Sequence, residues 1–169
     1  MKLLLITFLY LFTGTETPVD ADPIGTVTYK INGEEKKVNL RSLSVSIKTE
    51  TTGDPGKENT YSVASFTIYD TGNNKALKFT VHEDKVVTGL KGAYPLRNAN
   101  DIKFGKSTGI MVINTQNASQ IWTSVSGSCQ IDLTETTLKV KIAGASLNVG
   151  NETVPFELTL DATGVKVRS

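Results

Sequence analysis

The sequence predicts an all-β protein, an antiparallel β-sandwich or a lipocalin-like β-barrel of about ten strands, on three observations. Apolar and polar residues alternate with period two almost without interruption from Asp22 onward, turn-forming residues break the alternation at short intervals, and no stretch carries helical spacing. Strands joined by short turns, without the helices that parallel crossovers need, pair mainly antiparallel.

The elements follow in order. Val27, Tyr29 and Ile31 alternate with Thr26, Thr28 and Lys30, and Asn32-Gly33 supplies the two positions that tolerate positive φ in a tight hairpin before Val38 and Leu40 begin the return. Leu43, Val45 and Ile47 form the next apolar face, and the Gly- and Pro-containing segment from Thr51 to Lys57 reads as a surface loop. Ala64, Phe66 and Ile68 share a face, and the chain turns through Asp70-Thr71-Gly72-Asn73-Asn74 toward Leu77, Phe79 and Val81. From Gly89 to Gly109 the alternation loosens around Tyr94-Pro95 and Asn98-Ala99-Asn100-Asp101, which predicts a long irregular connection with one helical turn. Strands resume at Ile110–Ile113, Ile121–Val125, Cys129–Leu133, Leu138–Ile142, Val154–Leu160 and Val165–Val167.

The first residues read differently. Lys2, the apolar run Leu3–Phe12 and the small-residue stretch Val19-Asp20-Ala21 form a secretory signal with cleavage expected after Ala21, so 1–21 is a leader and 22–169 a single β domain. The apolar run is about 10 residues, where a membrane-crossing helix needs roughly 20, and no later segment is apolar enough to span. The outward strand positions are Thr, Ser, Lys, Gln and Asp rather than a lipid-facing band with aromatic girdles, which favours a water-soluble fold. The expected location is secreted, periplasmic or at the cell surface.

The 169 residues carry a formal net charge of +1, giving no electrostatic pointer to nucleic acid. Cys129 is the sole cysteine, so no intrachain disulfide or cysteine-built metal cluster is available, and its spacing from Ile131 and Leu133 places it among core residues. His82 is the sole histidine, which removes sites needing two imidazoles, and its register puts it on the solvent face beside Glu83 and Asp84. The carboxylates Glu34, Glu35, Asp54, Asp70, Asp101, Glu152 and Asp161 are scattered singly or in turns, as on a solubilising surface. Neither a phosphate-binding glycine loop nor a nucleophile elbow occurs. No catalytic residue and no cofactor is expected.

Weaker candidates remain. Asp70, Asn73 and Asn74 could offer oxygen ligands to calcium, but the stretch lacks the acidic spacing and distal glutamate of an EF-hand, and an Asx-rich turn is the ordinary reading. Asn117 and Asn151 open the tripeptides Asn-Ala-Ser and Asn-Glu-Thr, acceptor patterns for N-glycosylation in predicted loops. Trp122 falls on the face opposite Ile121 and Val125, an exposed position near a strand end. With Tyr61 and Tyr69, similarly placed, and Tyr94, it is a candidate for stacking on a sugar or partner.

The stretch Gly89-Leu90-Lys91-Gly92-Ala93-Tyr94-Pro95-Leu96, followed by Trp122 to Leu133 and a closing pair of strands, resembles small envelope lipoproteins of Bacteroidota with domains of unknown function. The resemblance covers about the last half of the mature chain, and this sequence departs from it in lacking the lipoprotein cysteine. It implies an antiparallel β domain at the cell surface or in the periplasm and carries over no catalytic residue.

Two functions from different classes fit these observations. One is a non-catalytic binding or structural module whose partner is a protein, a glycan or a small apolar ligand. The other is a lipocalin-like carrier holding a small apolar ligand in a barrel cavity, and a hydrolase is a lesser alternative. The first two differ in whether the interior is filled by side chains or kept open.

Overall fold

The computed structural model describes residues 22–98, 105–117 and 120–169. The expected leader 1–21, its cleavage point and Asp101 lie outside the described residues. Eleven strands run in chain order as β1 (Gly25–Ile31), β2 (Glu34–Leu40), β3 (Ser44–Thr52), β4 (Asn59–Asp70), β5 (Lys75–Glu83), β6 (Leu90–Arg97), β7 (Ser107–Asn114), β8 (Ile121–Leu133), β9 (Thr137–Val149), β10 (Glu152–Thr163) and β11 (Lys166–Arg168). All belong to one sheet, ordered β11-β3-β4-β5-β7-β6-β8-β9-β10-β1-β2. The sheet curls into a half-barrel. The all-β expectation holds, and the architecture lies nearer the barrel than a sandwich of two separate sheets. Most pairings are antiparallel, but β6 runs parallel to β7 and β11 parallel to β3.

Local sequence sets the turns. Asn32 and Gly33 take φ of 51° and 82°, the left-handed pair that lets β1 return directly as β2 with Ile31 opposite Glu34. Between β4 and β5, the Asp70 carboxylate accepts the Asn73 amide N–H at 3.1 Å and its side-chain Nδ2 at 2.9 Å, while Asn74 adopts φ 53°.

The curl has a visible origin. The β8–β9 register slips between Ser124 and Ser126 and again between Ser126 and Ser128, and the β9–β10 register slips between Phe156 and Leu158. These bulges lie beside one another on three neighbouring strands, and each adds local bend and twist. Gly127 sits on this line at φ 124°, where a Cβ would lie 2.8 Å from the Ala145 Cα, so only glycine fits.

Curling brings distant strands together. Tyr29 on β1 and Asp70 at the end of β4, which occupy the tenth and third places in the sheet order, meet in a buried 2.6 Å hydrogen bond donated by the phenol. The concave face holds Val27, Val45, Phe66, Leu77, Ile110, Ile142 and Leu158, each at most 3% exposed, and Phe66 and Phe79 stack with centroids 4.5 Å apart. The interior is therefore filled by side chains from across the sheet.

Two expectations are corrected here. The segment 89–109 is not one irregular connection: Leu90–Arg97 is β6, pairing antiparallel with β8 from Leu90 opposite Leu133 to Pro95 opposite Ser128. Proline is accommodated because that pairing ends at Pro95. The second concerns β8, whose first residues Ile121–Thr123 pair with β7 and whose later residues pair with β6, so β6 enters a fork between them. In that register Trp122 lies opposite inward-facing Val112 and packs partly buried against the core, leaving Ile121 and Val125 38% and 41% exposed. The sequence alternation assigned these faces the other way round.

Ser124 holds the fork. Its buried hydroxyl accepts the Ile110 N–H at 3.0 Å and donates to the Arg97 carbonyl, replacing ladder bonds that the splayed strands cannot make with one another. Ser124→Ala leaves both groups unpaired and is expected to cost about 1–3 kcal/mol. Ser126→Ala, at an exposed hydroxyl, should stay within about 0.5 kcal/mol of the parent. Urea unfolding checks this as a lowered midpoint at unchanged m value for the first variant alone.

Candidate functional site

At the end of the half-barrel where β3 and β5 finish, the strands leave an apolar recess. A depression of about 450 Å³ lies there, lined by Ile47 and Thr49 of β3, the β5–β6 connection at Val86, Val87 and Thr88, Glu135 of the β8–β9 turn, and Val167 and Ser169 at the chain's end. Its apolar floor has a local cause. The β5–β6 connection folds across the end of the half-barrel, tied down by the Val87 N–H donating to the buried Ser62 hydroxyl at 3.0 Å. Val87 packs against the core while Val86 is left 59% exposed. An exposed valine beside a shallow apolar recess is a feature that recognition can use.

A charged cluster stands at the same end of β5. Glu83 is 6% exposed and accepts the Tyr94 phenol at 2.7 Å; Lys106 places its ammonium 4.0 Å from the Glu83 carboxylate and 4.7 Å above the Tyr94 ring. Burial, followed by the hydrogen bond to Glu83 and that residue's charge, raises the Tyr94 phenol well above its ordinary range. Tyr29 is raised in the same way, by burial first and then by Asp70. Both phenols thus stay protonated donors that anchor inward carboxylates.

His82 points to the convex side, as expected, but it is not a solvated turn residue. It lies within β5, one residue before its end, at 8% exposure, stacked on Tyr61 with centroids 5.9 Å apart, and its Nδ1 is buried without a hydrogen-bond partner. Burial lowers its pKa, opposed by the charge of Glu50, which also accepts the Tyr61 phenol at 2.9 Å.

The other candidates are dispersed. Tyr69 is 65% exposed on the convex face, Tyr61 is half-buried, and Tyr94 is wholly buried and engaged by Glu83, which takes it out of reach of a ligand's sugar ring. Trp122 is half-buried at the concave rim, with the Lys75 ammonium 5.2 Å from its ring. The structure thus separates Trp122, Tyr61, Tyr69 and Tyr94 rather than gathering them into one aromatic platform. Asp70, read from sequence as a surface carboxylate, is 4% exposed because it caps its turn and receives Tyr29; its oxygens are already engaged with Tyr29 and Asn73. Among the described residues no group of three or more His, Cys, Asp or Glu side chains could hold a metal ion. Cys129 is buried beside Ile131 and Leu133 as expected, and desolvation pushes its thiol up to about 12. Asn117 and Asn151 are exposed, the latter in the two-residue β9–β10 turn.

Sequence reasoning missed Glu83, Lys106 and the Val86-Val87 pair. The valines carried a usable signal, since two adjacent β-branched residues between Asp84-Lys85 and Gly89 break the polar character of a connection. The chain matches no family model, no curated protein and no solved structure. Among the described residues no helix is long and apolar enough to cross a membrane.

These groups set the pH response. With its pKa lowered by folding, His82 refuses a proton that the unfolded chain takes up below about pH 6.5, so stability falls as pH drops through that point toward the folded value. The phenols are raised, so the unfolded chain releases protons above about pH 10 that the folded chain keeps, and stability falls as pH rises past that point. Urea midpoints should therefore plateau between these limits. In His82→Gln the decline between about pH 6.5 and 5 should be shallower than in the parent; identical slopes would show that the imidazole is not held neutral by burial.

Proposed function

We propose that this chain is an exported, non-catalytic binding module that recognises its partner at its surface, with the apolar recess between β3 and the β5–β6 connection as the recognition site. The observation that carries the reading is a contrast along one face of the sheet, between its middle and its end. The concave interior is occupied by tightly buried side chains, while the recess beside Val86 opens outward with Ile47, Val87 and Val167 at its base. Export rests on the basic Lys2, the apolar run Leu3–Phe12 and the small residues ending at Ala21.

The curled sheet also favours a second reading, a carrier that holds an apolar molecule inside the half-barrel. A carrier must enclose its ligand, whereas this interior would have to expel Leu77, Phe79 or Leu158, all at most 1% exposed, to make room.

Titration with the apolar fluorophore N-phenyl-1-naphthylamine separates the two. A surface module should give either no saturable binding or binding that Val86→Asp weakens by about tenfold or more, since a buried carboxylate opposes an apolar ligand. Saturable one-to-one binding that survives Val86→Asp would place the ligand in the interior and put the carrier first. Expression of the whole chain in an exporting bacterium should yield a product beginning at Asp22; retention of the leader in the cytosolic fraction would count against export.

A further inference from the structure

The two margins of the sheet are built differently. At one margin, β2 carries Glu34, Glu35, Lys36 and Lys37 in succession, with Lys36 paired to Glu34 and Lys30 of β1 3.3 Å from Glu35. Consecutive charges of this kind discourage an added strand. At the other margin, β11 pairs with β3 only over Ser44–Ser46, whereas β4 covers β3 on its other side from Val45 to Thr52. Ile47–Thr52 therefore has no strand against its outer edge among the described residues, a length of roughly 20 Å at the usual strand rise.

The hydrogen-bond phase of that edge is fixed by β11. Leu43 receives the Lys166 N–H at 3.0 Å, and backbone polar groups alternate sides along a strand. The groups of Val45, Ile47, Thr49 and Thr51 therefore turn toward the margin, and those of Lys48 and Glu50 toward β4. Thr49 and Thr51 are exposed and each presents an N–H and a C=O. Side chains directly opposite across a ladder share a face. Thr49 faces the apolar recess with Ile47, so a residue paired with Thr49 would direct its side chain into the recess beside Val86 and Val87.

We propose that the Ile47–Thr52 edge of β3 accepts an extended peptide segment as an added strand, with an apolar side chain opposite Thr49 seated in the recess. The inference rests on the surface-binding reading above and names its partner: another polypeptide in extended conformation, with an apolar residue flanked by alternating polar ones. The pairing continues what β11 begins, because that short strand already docks on the same edge and its Val167 already lines the recess. Backbone bonds supply the attachment and the recess supplies the side-chain preference, the division of labour found wherever a strand is added to a sheet edge.

The test uses the folded mature chain and a fluorescein-labelled peptide of alternating threonine and valine between terminal lysines, with a serine-for-valine peptide as control. The expected result is saturable anisotropy for the valine peptide, at least about tenfold weaker binding of the control, and slowed amide exchange at Thr49 and Thr51 on saturation. Thr49→Pro removes an N–H that faces away from β4, so it should leave the urea midpoint close to the parent while weakening the peptide about tenfold or more. Thr49→Val keeps the amide and should retain binding. Absence of saturable binding, or binding indifferent to Thr49→Pro, overturns the proposal. So does a concentration-dependent dimer that Thr49→Pro abolishes, since the edge would then serve a second copy. Fluorophore binding that survives Val86→Asp would sink the surface-module reading itself, whereas peptide failure with the fluorophore unbound sinks only the strand site.

Discussion

A single sheet with one apolar face and, among the described residues, no α-helix to lay against it must cover that face with itself. Every other feature of this molecule follows from that constraint. Closing the sheet on its own concave side requires bends, and these are concentrated where β8, β9 and β10 carry neighbouring register slips around Gly127. It also requires the two ends of the strand order to approach, which the Tyr29–Asp70 bond accomplishes across the interior. β11 then shields the start of β3, where Leu43 and Val45 would otherwise meet water at the margin.

The interior is apolar but not featureless. Tyr29 with Asp70 and Tyr94 with Glu83 repeat one device, a phenol on one strand donating to a carboxylate at the end of another. Such pairs add little net stability relative to well-packed apolar side chains, because both partners surrender hydration. What they contribute is register. A one-residue slip of β1 or β6 would turn its phenol outward and strand a carboxylate in the core, an outcome far costlier than a simple loss of packing. On the convex face register is matched by charge instead: Lys91, Asp132, Lys139 and Asp161 face one another in a row across β6, β8, β9 and β10, with ion-pair distances of 3.8 Å and 3.4 Å at its two ends. Being exposed, that row discriminates between registers more than it stabilises the correct one.

The sequence made the fold class legible because period-two alternation is a direct consequence of a one-sided sheet, and the Asn32-Gly33 turn and buried Cys129 were readable for the same local reasons. It failed where tertiary context overrides local pattern. β6 escaped notice because Gly92 and Pro95 depress strand propensity, yet Leu90, Tyr94 and Leu96 are all buried once β8 lies beside them. Trp122 was assigned to the wrong face because the β8 fork and bulges shift the phase of a strand whose alternation looks continuous. Asp70 and Glu83 resemble every other carboxylate in the sequence; only the inward phenols, brought from remote strands, give them a role. The recess is legible only in part. Val86-Val87 stands out locally, but its neighbours Ile47, Glu135 and Val167 come together through the curl alone.

An open curl differs from a closed barrel in one respect that bears on function: it retains two margins, and each must be managed. The β2 margin is managed by density of charge, which costs the strand little because its outward side chains are solvated in any case. The β3 margin cannot use the same remedy along its length, since Ile47 belongs to the core and any charge at its position would be buried. A short strand laid over its start is the available alternative: β11 covers Ser44–Ser46, and after Ile47 the alternation of β3 gives way to threonines and charged residues. The edge beyond is thus polar enough to remain exposed in a folded chain, yet it keeps ordered, unpaired backbone groups next to an apolar recess. That combination arises from the way the sheet closes, which among the described residues leaves the β3 margin beyond Ser46 without a strand beside it.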